Sequence, residues 1–374
     1  MRRLYFDYNA TTPLARGLDQ KLAEWVSAGY KNPSSLHQDG QQALSAMAEA
    51  REGIKSLLFA RKADELIFTS SGTEANNAVI IAAHRNRQNR DTIITTKLEH
   101  ASVSQTLAYL REQGVVVITV PVDRRGIVDL DFYKKYLTND VFLVTVMLAN
   151  NETGFVLPIK EMASLANAQK IPFHTDAVCA VGKIIVNFEN LGATYLTLSS
   201  HKFGGLPGLG GVLMRPSAVW NPYFYGGGQE AGKRPGTENL LGILAARFAL
   251  DQAVRDLHGT LSRQEMLREQ LCSGIKKIFS GAVFTQSQQY LSQTLNVSFP
   301  GLEARLLVTQ LDLSGVSVSA GSACSSGAIG ASPVIRSLYA DENIVNSAIR
   351  ISFGPQTNGA EVEEFLFRLG QCLC

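Results

Sequence analysis

Leu66-Ile-Phe-Thr-Ser-Ser-Gly-Thr-Glu-Ala-Asn-Asn77 is a short run without polar alternation, then a small-residue turn, then a helical pattern. The run suits a strand buried on both faces. At such a strand-to-helix junction, free backbone N–H groups and the positive end of the helix dipole favour a phosphate. Gly72 lets the backbone come close to a ligand, and Thr73 adds a hydroxyl donor. Ser and Thr are also ordinary helix caps, so the local sequence leaves both readings open.

Working outward, strand patterns at 66–69, 92–96, 115–120, 142–148, 172–175, 195–198 and 211–214 are interleaved with helical ones, among them 73–87, 101–113 and 160–169. Alternating β and α predicts an α/β domain with a mainly parallel sheet. After Asn239 the texture changes. Long helical stretches at 240–257 and 261–279 precede strand patterns at 294–299, 316–319 and 349–353, with helices at 303–311 and 361–371. These predict a smaller α+β domain.

The bulk numbers agree with two domains. The chain has 374 residues, 45% hydrophobic and 18% charged, enough to bury a sizeable core. A net charge of +2 gives no basic field for nucleic acid. The basic cluster Arg85, Arg87 and Arg90 reads as a solvated helix end. Five cysteines, an odd count without a Cys-x-x-Cys pair, argue against a disulfide framework and a structural zinc. The N-terminus lacks an apolar signal region, and the longest apolar runs are too short to span a membrane. A cytoplasmic, reducing location is the default expectation.

Four further stretches carry chemistry. In Phe173-His-Thr-Asp176, an acid ends a buried strand, where it could hold a proton on a pyridine nitrogen or act as a cap or ion-pair partner. In Leu198-Ser-Ser-His-Lys202-Phe-Gly-Gly, a lysine follows a strand beside Ser and His. A lysine of lowered pKa forms Schiff bases; an isolated one is usually a solvated surface residue. The glycines that follow lack the P-loop Lys-Ser/Thr. Gly226-Gly-Gly-Gln-Glu-Ala-Gly-Lys-Arg-Pro-Gly-Thr-Glu-Asn239 reads as a long loop offering backbone donors and Thr237. Finally, Ser317-Val-Ser-Ala-Gly-Ser-Ala-Cys324-Ser-Ser-Gly places one cysteine among small residues, poor core material but suited to a thiol that travels to its target.

Taken together, the pattern resembles the class I cysteine desulfurases, the NifS/IscS-type branch of the fold-type I pyridoxal-phosphate enzymes in the class-V aminotransferase family. The resemblance runs from Tyr5 to Gly354. It is carried by Phe6-Asp-Tyr-Asn-Ala-Thr-Thr-Pro13, Asn32-Pro-Ser-Ser, Ser71-Gly-Thr-Glu-Ala-Asn-Asn77, Glu99-His100, Asn150-Asn-Glu-Thr-Gly154 and Thr175-Asp-Ala-Val178. It continues through Ser199-Ser-His-Lys-Phe-Gly204, Gly226-Gly-Gly-Gln-Glu230, Gly236-Thr-Glu-Asn239, Gly321-Ser-Ala-Cys-Ser-Ser326 and Arg350-Ile-Ser-Phe-Gly354.

The resemblance implies a seven-stranded, mainly parallel sheet in a large domain spanning 14–255. It implies a small domain of 1–13 and 256–374 that carries the cysteine loop, with the N-terminal segment crossing to join it. Pyridoxal 5'-phosphate would be bound covalently by Lys202, with Asp176 on its ring nitrogen and His100 stacked on the ring and shuttling protons. Gly72, Thr73, Ser199, Ser200 and His201 would hold it with Thr237 of the partner in a homodimer, and Asn151 and Cys179 would stand beside it. Asn151 and Arg350 would bind the carboxylate of L-cysteine, Arg350 as a bidentate fork. Cys324 would take the sulfur as a persulfide, release alanine, and pass the sulfur to an acceptor such as an iron–sulfur scaffold or a tRNA-thiolation protein.

The chain departs from the family pattern in places. Cys179 stands where Gln usually bonds the cofactor's ring oxygen, and a thiol donates weakly. It reads as a small packing residue or a second reactive thiol. Ala231 replaces a frequent Arg. The tail after Gly354 is short, and Cys372 and Cys374 read as a frayed terminus rather than a sulfur relay or metal site. The rival readings are a selenocysteine lyase, an aminotransferase on the same fold, and a cofactor-loaded, non-catalytic assembly partner.

Overall fold

The computed structural model describes residues 2–321 and 331–373. Its centre is a seven-stranded sheet in the order Glu65–Thr69, Gly210–Met214, Tyr195–Ser199, Phe173–Asp176, Val141–Thr145, Thr92–Thr96, Val116–Val120. The pairings are parallel except the two made by Gly210–Met214. Both faces are covered. Leu66, Phe68, Ile94, Phe173, Leu196 and Leu213 pack into one apolar layer. Ile67, Ile93, Tyr195, Val212 and Met214 pack into the other with Val79 and Leu107 of flanking helices. Neighbouring residues in a strand point to opposite faces, so burial on both sides demands the continuous apolar runs read in the sequence.

A second core joins the three-stranded antiparallel sheet Ala348–Ser352, Thr294–Ser298, Val283–Thr285 to the helices Leu257–Ile278 and Gly359–Leu373. The N-terminal segment enters this core. Leu4–Tyr5 pairs in parallel with Val316–Ser317, and Phe6 is buried against Phe365. Burying a phenylalanine in this way contributes about 1.5–3 kcal/mol, which ties the two ends of the chain together. Cys372 lies in the last helix and packs against this core, so the frayed-terminus reading fails for it. Cys374 lies outside the described residues.

Several boundaries differ from the sequence reading, two of them where the chain changes direction. The strand expected at 142–148 ends at Thr145, although Val146 and Leu148 still donate backbone bonds to His174 and Asp176. The chain then turns at Asn150 to bring Asn151 inward. The helical stretch expected through 257 stops at Arg255 because Asp256 leaves the helical region (φ −120°, ψ 39°), and a new helix starts at Leu257.

Candidate active site

Gly210–Met214 runs antiparallel to both neighbours, so Glu65–Thr69 and Tyr195–Ser199 end at the same sheet edge. Thr69 and Ser199 both pair with Gly210. This topology brings Ser71-Gly72-Thr73 beside Ser199, at the edge where ligands of open α/β sheets bind. A cavity of about 150 Å³ lies there. Ser71, Gly72 and Thr73 line it at the start of the helix Gly72–Arg85, whose cap is Ser71. A Cβ on Gly72 would sit 2.8 Å from Val178 Cγ2 and 3.3 Å from Ser199 Cβ, so any larger residue would close this cradle.

Asp176 ends its strand buried at 4% exposure, with no cation bonded to it among the described residues. Its Oδ2 accepts from Asn76 Nδ2 at 2.7 Å, and its Oδ1 accepts from the Val178 N–H at 2.9 Å. Asn76 also donates to Ser102 Oγ at 2.9 Å, and Ser102 Oγ bonds His100 Nδ1 at 2.8 Å. His100 caps the helix Ala101–Glu112 by accepting from the Ser102 N–H. One chain of hydrogen bonds thus fixes both the acid at the floor and the imidazole on the wall.

Lys202 sits in a short 3-10 turn that leaves the strand end. Its Nζ donates to the carbonyls of Asn9, at 2.5 Å, and Ala10, at 2.9 Å. Asn9 is a junction. Its N–H donates to Ser352 Oγ, its Nδ2 donates to Asn151 O and Thr294 Oγ1, and its Oδ1 accepts from Lys183 Nζ. Burial pushes Lys183 down to about 8, with Lys202 and Arg350 adding like-charge repulsion. Burial and the same two lysines hold His201 down at about 4, so its ring is neutral near pH 7.

Arg350, only 1% exposed, donates from Nη1 to Asn151 O at 3.1 Å and from Nη2 to Asp7 Oδ1 at 2.5 Å. Its Nε has no partner among the described residues. Such a cation keeps unspent donor capacity for a carboxylate.

Of the residues singled out in the sequence, Gly72, Thr73, His100, Asn151, Asp176, Cys179, Ser199, His201, Lys202 and Arg350 all line this cavity. Ser200 does not; its buried Oγ lies where a Cβ on Gly205 would stand, 1.9 Å away, and turns from the cavity. Thr237 is exposed in the loop before the helix Leu240–Arg255 and lies outside this chain's cavity. Cys324 lies outside the described residues. Of the residues flanking that segment, Ser332 donates from Oγ to the buried Glu152. Asp7, Asn9, Asn76 and Lys183 received no role from the sequence, although all but Lys183 fall within stretches quoted above.

The donor set fits one kind of group. A helix start with Ser, Thr and His donors suits a phosphate, a buried carboxylate suits a protonated ring nitrogen, and a lysine suits a carbonyl carbon. Residues 4–365 match the family described as aminotransferase class-V. The chain is 38% identical to the cysteine desulfurase IscS of Dictyoglomus turgidum over 95% of this chain and 91% of that protein. It is 36% identical to the cysteine desulfurase NifS of Azotobacter vinelandii over 98% of this chain and 91% of that one. The chain belongs to the cysteine desulfurase branch of the class-V aminotransferase family.

A solved NifS-like protein superposes with a TM-score of 0.92 at 34% identity, covering 99% of this chain and 98% of its own. A NifS-like protein from Rickettsia africae gives 0.89 at 26%, with 99% of each chain covered. The fold is that of NifS-like proteins, and the cofactor of this desulfurase family is pyridoxal 5'-phosphate. Among the described residues no helix is long and apolar enough to cross a membrane.

Proposed function

We propose that this cysteine desulfurase family member takes sulfur from L-cysteine, releases L-alanine, and delivers the sulfur to an acceptor through Cys324. The observation that carries the proposal is the gathering of Lys202, Asp176, His100 and Arg350 around one cavity. Gly72, Thr73, Ser199 and His201 would hold the cofactor phosphate, and Asp176 would keep a proton on the ring nitrogen. Bound there, pyridoxal phosphate supplies the electron sink that makes the substrate α-proton acidic and its sulfur transferable.

The chain's own residues do the rest. Arg350 and Asn151 orient the substrate carboxylate, so that the α-carbon faces Lys202. Lys202 takes the α-proton and returns it, and His100 shuttles protons on the opposite wall. Neutral His201 donates to the phosphate without adding charge beside Lys202. The Cys324 thiolate attacks the substrate sulfur. A sulfur–sulfur bond forms, the carbon–sulfur bond breaks with its electron pair left on carbon, and that carbon takes a proton to become alanine. An acceptor thiol then removes the outer sulfur of the persulfide, in a reducing, cytoplasmic setting.

A homodimer belongs to this reading, with Thr237 serving the partner's phosphate; sedimentation showing a fully active monomer would refute that part. Alanine release from L-cysteine by the cofactor-loaded protein, with reductant present, tests the whole. The parent should turn over, Cys324→Ala should keep the cofactor colour and stop, and Lys202→Ala should stop. A parent that binds cofactor yet makes no alanine would sink the proposal, and turnover of selenocysteine alone would redirect it.

A further inference from the structure

A second and larger cavity, about 560 Å³, lies between the two cores. Lys202 lines both cavities and is the one described residue they share. The volume is within the roughly 300–1,000 Å³ typical of small-molecule sites. Its walls come from both cores, with Phe203 and Ala253 from one and Phe353 from the other, and Leu257 and Pro355 complete the lining.

Two features give this apolar space a polar specificity. The cations Arg16, Lys183 and Lys202 line it, and no carboxylate does among the described residues. Gln293 also lines it, buried at 2% exposure, and neither its Nε2 nor its Oε1 has a partner among the described residues. A buried amide with both ends unpaired is costly, and an acceptor head group that bonds its Nε2 removes the donor's share of that cost. Among the described residues Lys183 Nζ makes one hydrogen bond, to Asn9 Oδ1 at 3.1 Å, which leaves ammonium protons to offer.

We propose that this interdomain cavity is a second ligand site for a small amphipathic carboxylate. Its head group accepts from Lys183 Nζ and Gln293 Nε2, and its apolar body packs on Phe203, Ala253, Leu257 and Phe353. Such a ligand bridges the two cores and touches the back of Lys202, so occupancy couples to the reaction cavity.

The test is calorimetric titration of the full, cofactor-loaded protein with 4-phenylbutyrate and, separately, with 4-phenylbutanol. This readout does not depend on turnover, so it stands apart from the desulfurase proposal. The carboxylate should bind once per subunit and at least about tenfold tighter than the alcohol. Ala253→Trp, which fills the apolar part, should abolish binding. Should that variant fail to fold, Gln252→Glu sets a carboxylate on the cavity wall and should weaken binding about tenfold. Equal affinity for acid and alcohol, or no binding of either, overturns the proposal. So does binding that survives both variants but is displaced by L-alanine, because the carboxylate then occupies the reaction cavity.

Discussion

Asp7 and Arg350 stand 343 residues apart in sequence and meet in a hydrogen-bonded ion pair of 2.5 Å. The arginine is almost wholly buried, whereas the aspartate keeps some contact with solvent. Asp7 thus compensates a buried cation and aims its fork, with Asn151 O holding the other arm.

Asp7→Asn should therefore loosen both stability and substrate recognition. Breaking the pair leaves a buried positive charge, at a cost of about 2 kcal/mol once the exposure of Asp7 is discounted. KM for L-cysteine should rise about tenfold with a smaller change in kcat. Steady-state kinetics and a thermal melt check this; an unchanged KM would remove Asp7 from substrate positioning.

Asn76 links Asp176 to Ser102, and through Ser102 to His100. Asn76→Ala deletes one of the two donors that the described residues give the Asp176 carboxylate. We expect kcat to fall about tenfold, equivalent to about 1.4 kcal/mol, while the cofactor stays bound. The pH profile of kcat should shift as well, which a purely structural role would not produce.

Glu99 supplies a pH signature. Burial pushes its carboxyl up to about 8 from 4.5, and bonds from the Thr96 hydroxyl and the Met147 N–H recover only part of the shift. The folded chain holds this proton more tightly than the unfolded chain. That stabilisation is complete below pH 4.5 and is lost as pH rises through about 8. Glu99→Gln keeps the accepting Oε1 and places an NH₂ at the unpartnered Oε2. The variant should therefore gain stability relative to the parent across that window, by at most about 1.4 kcal/mol per pH unit. Urea midpoints at about pH 5 and about pH 9 would show it; a constant difference would refute it.

Cys179 lines the reaction cavity, buried at 5% exposure. Its thiol is a weak donor. Cys179→Gln should hold the cofactor several-fold more tightly and shift its visible absorption band, read by cofactor titration of the apoprotein. Looser binding would mean that the space left by the cysteine is too small for an amide.

Much of the fold was legible because local physics wrote it. The strands 92–96 and 195–198 were found to within a residue, since burial on both faces leaves a run of apolar and β-branched side chains that nothing else explains. The boundaries at Thr145 and Asp256 were not legible, because the apolar pattern runs on past the point where the backbone turns.

The same division holds for the site. The sequence by itself determined the chemical inventory: a small-residue turn before a helix at Gly72, an acid ending a buried strand at Asp176, a lysine after a strand at 202, and one cysteine among small residues at 324. Each is unusual in its immediate neighbourhood, and neighbourhood is what a sequence displays. The tertiary structure decided which groups act together. Asn9, Asn76, Asp7 and Lys183 are unremarkable residue types until partners 100 to 343 residues away come within bonding distance. It also turned Ser200 away from the cavity, because the 3-10 turn that presents His201 and Lys202 points the side chain of its first residue toward Gly205. Hydrogen bonds act over about 3 Å and have no sequence period, so closing these networks required the fold.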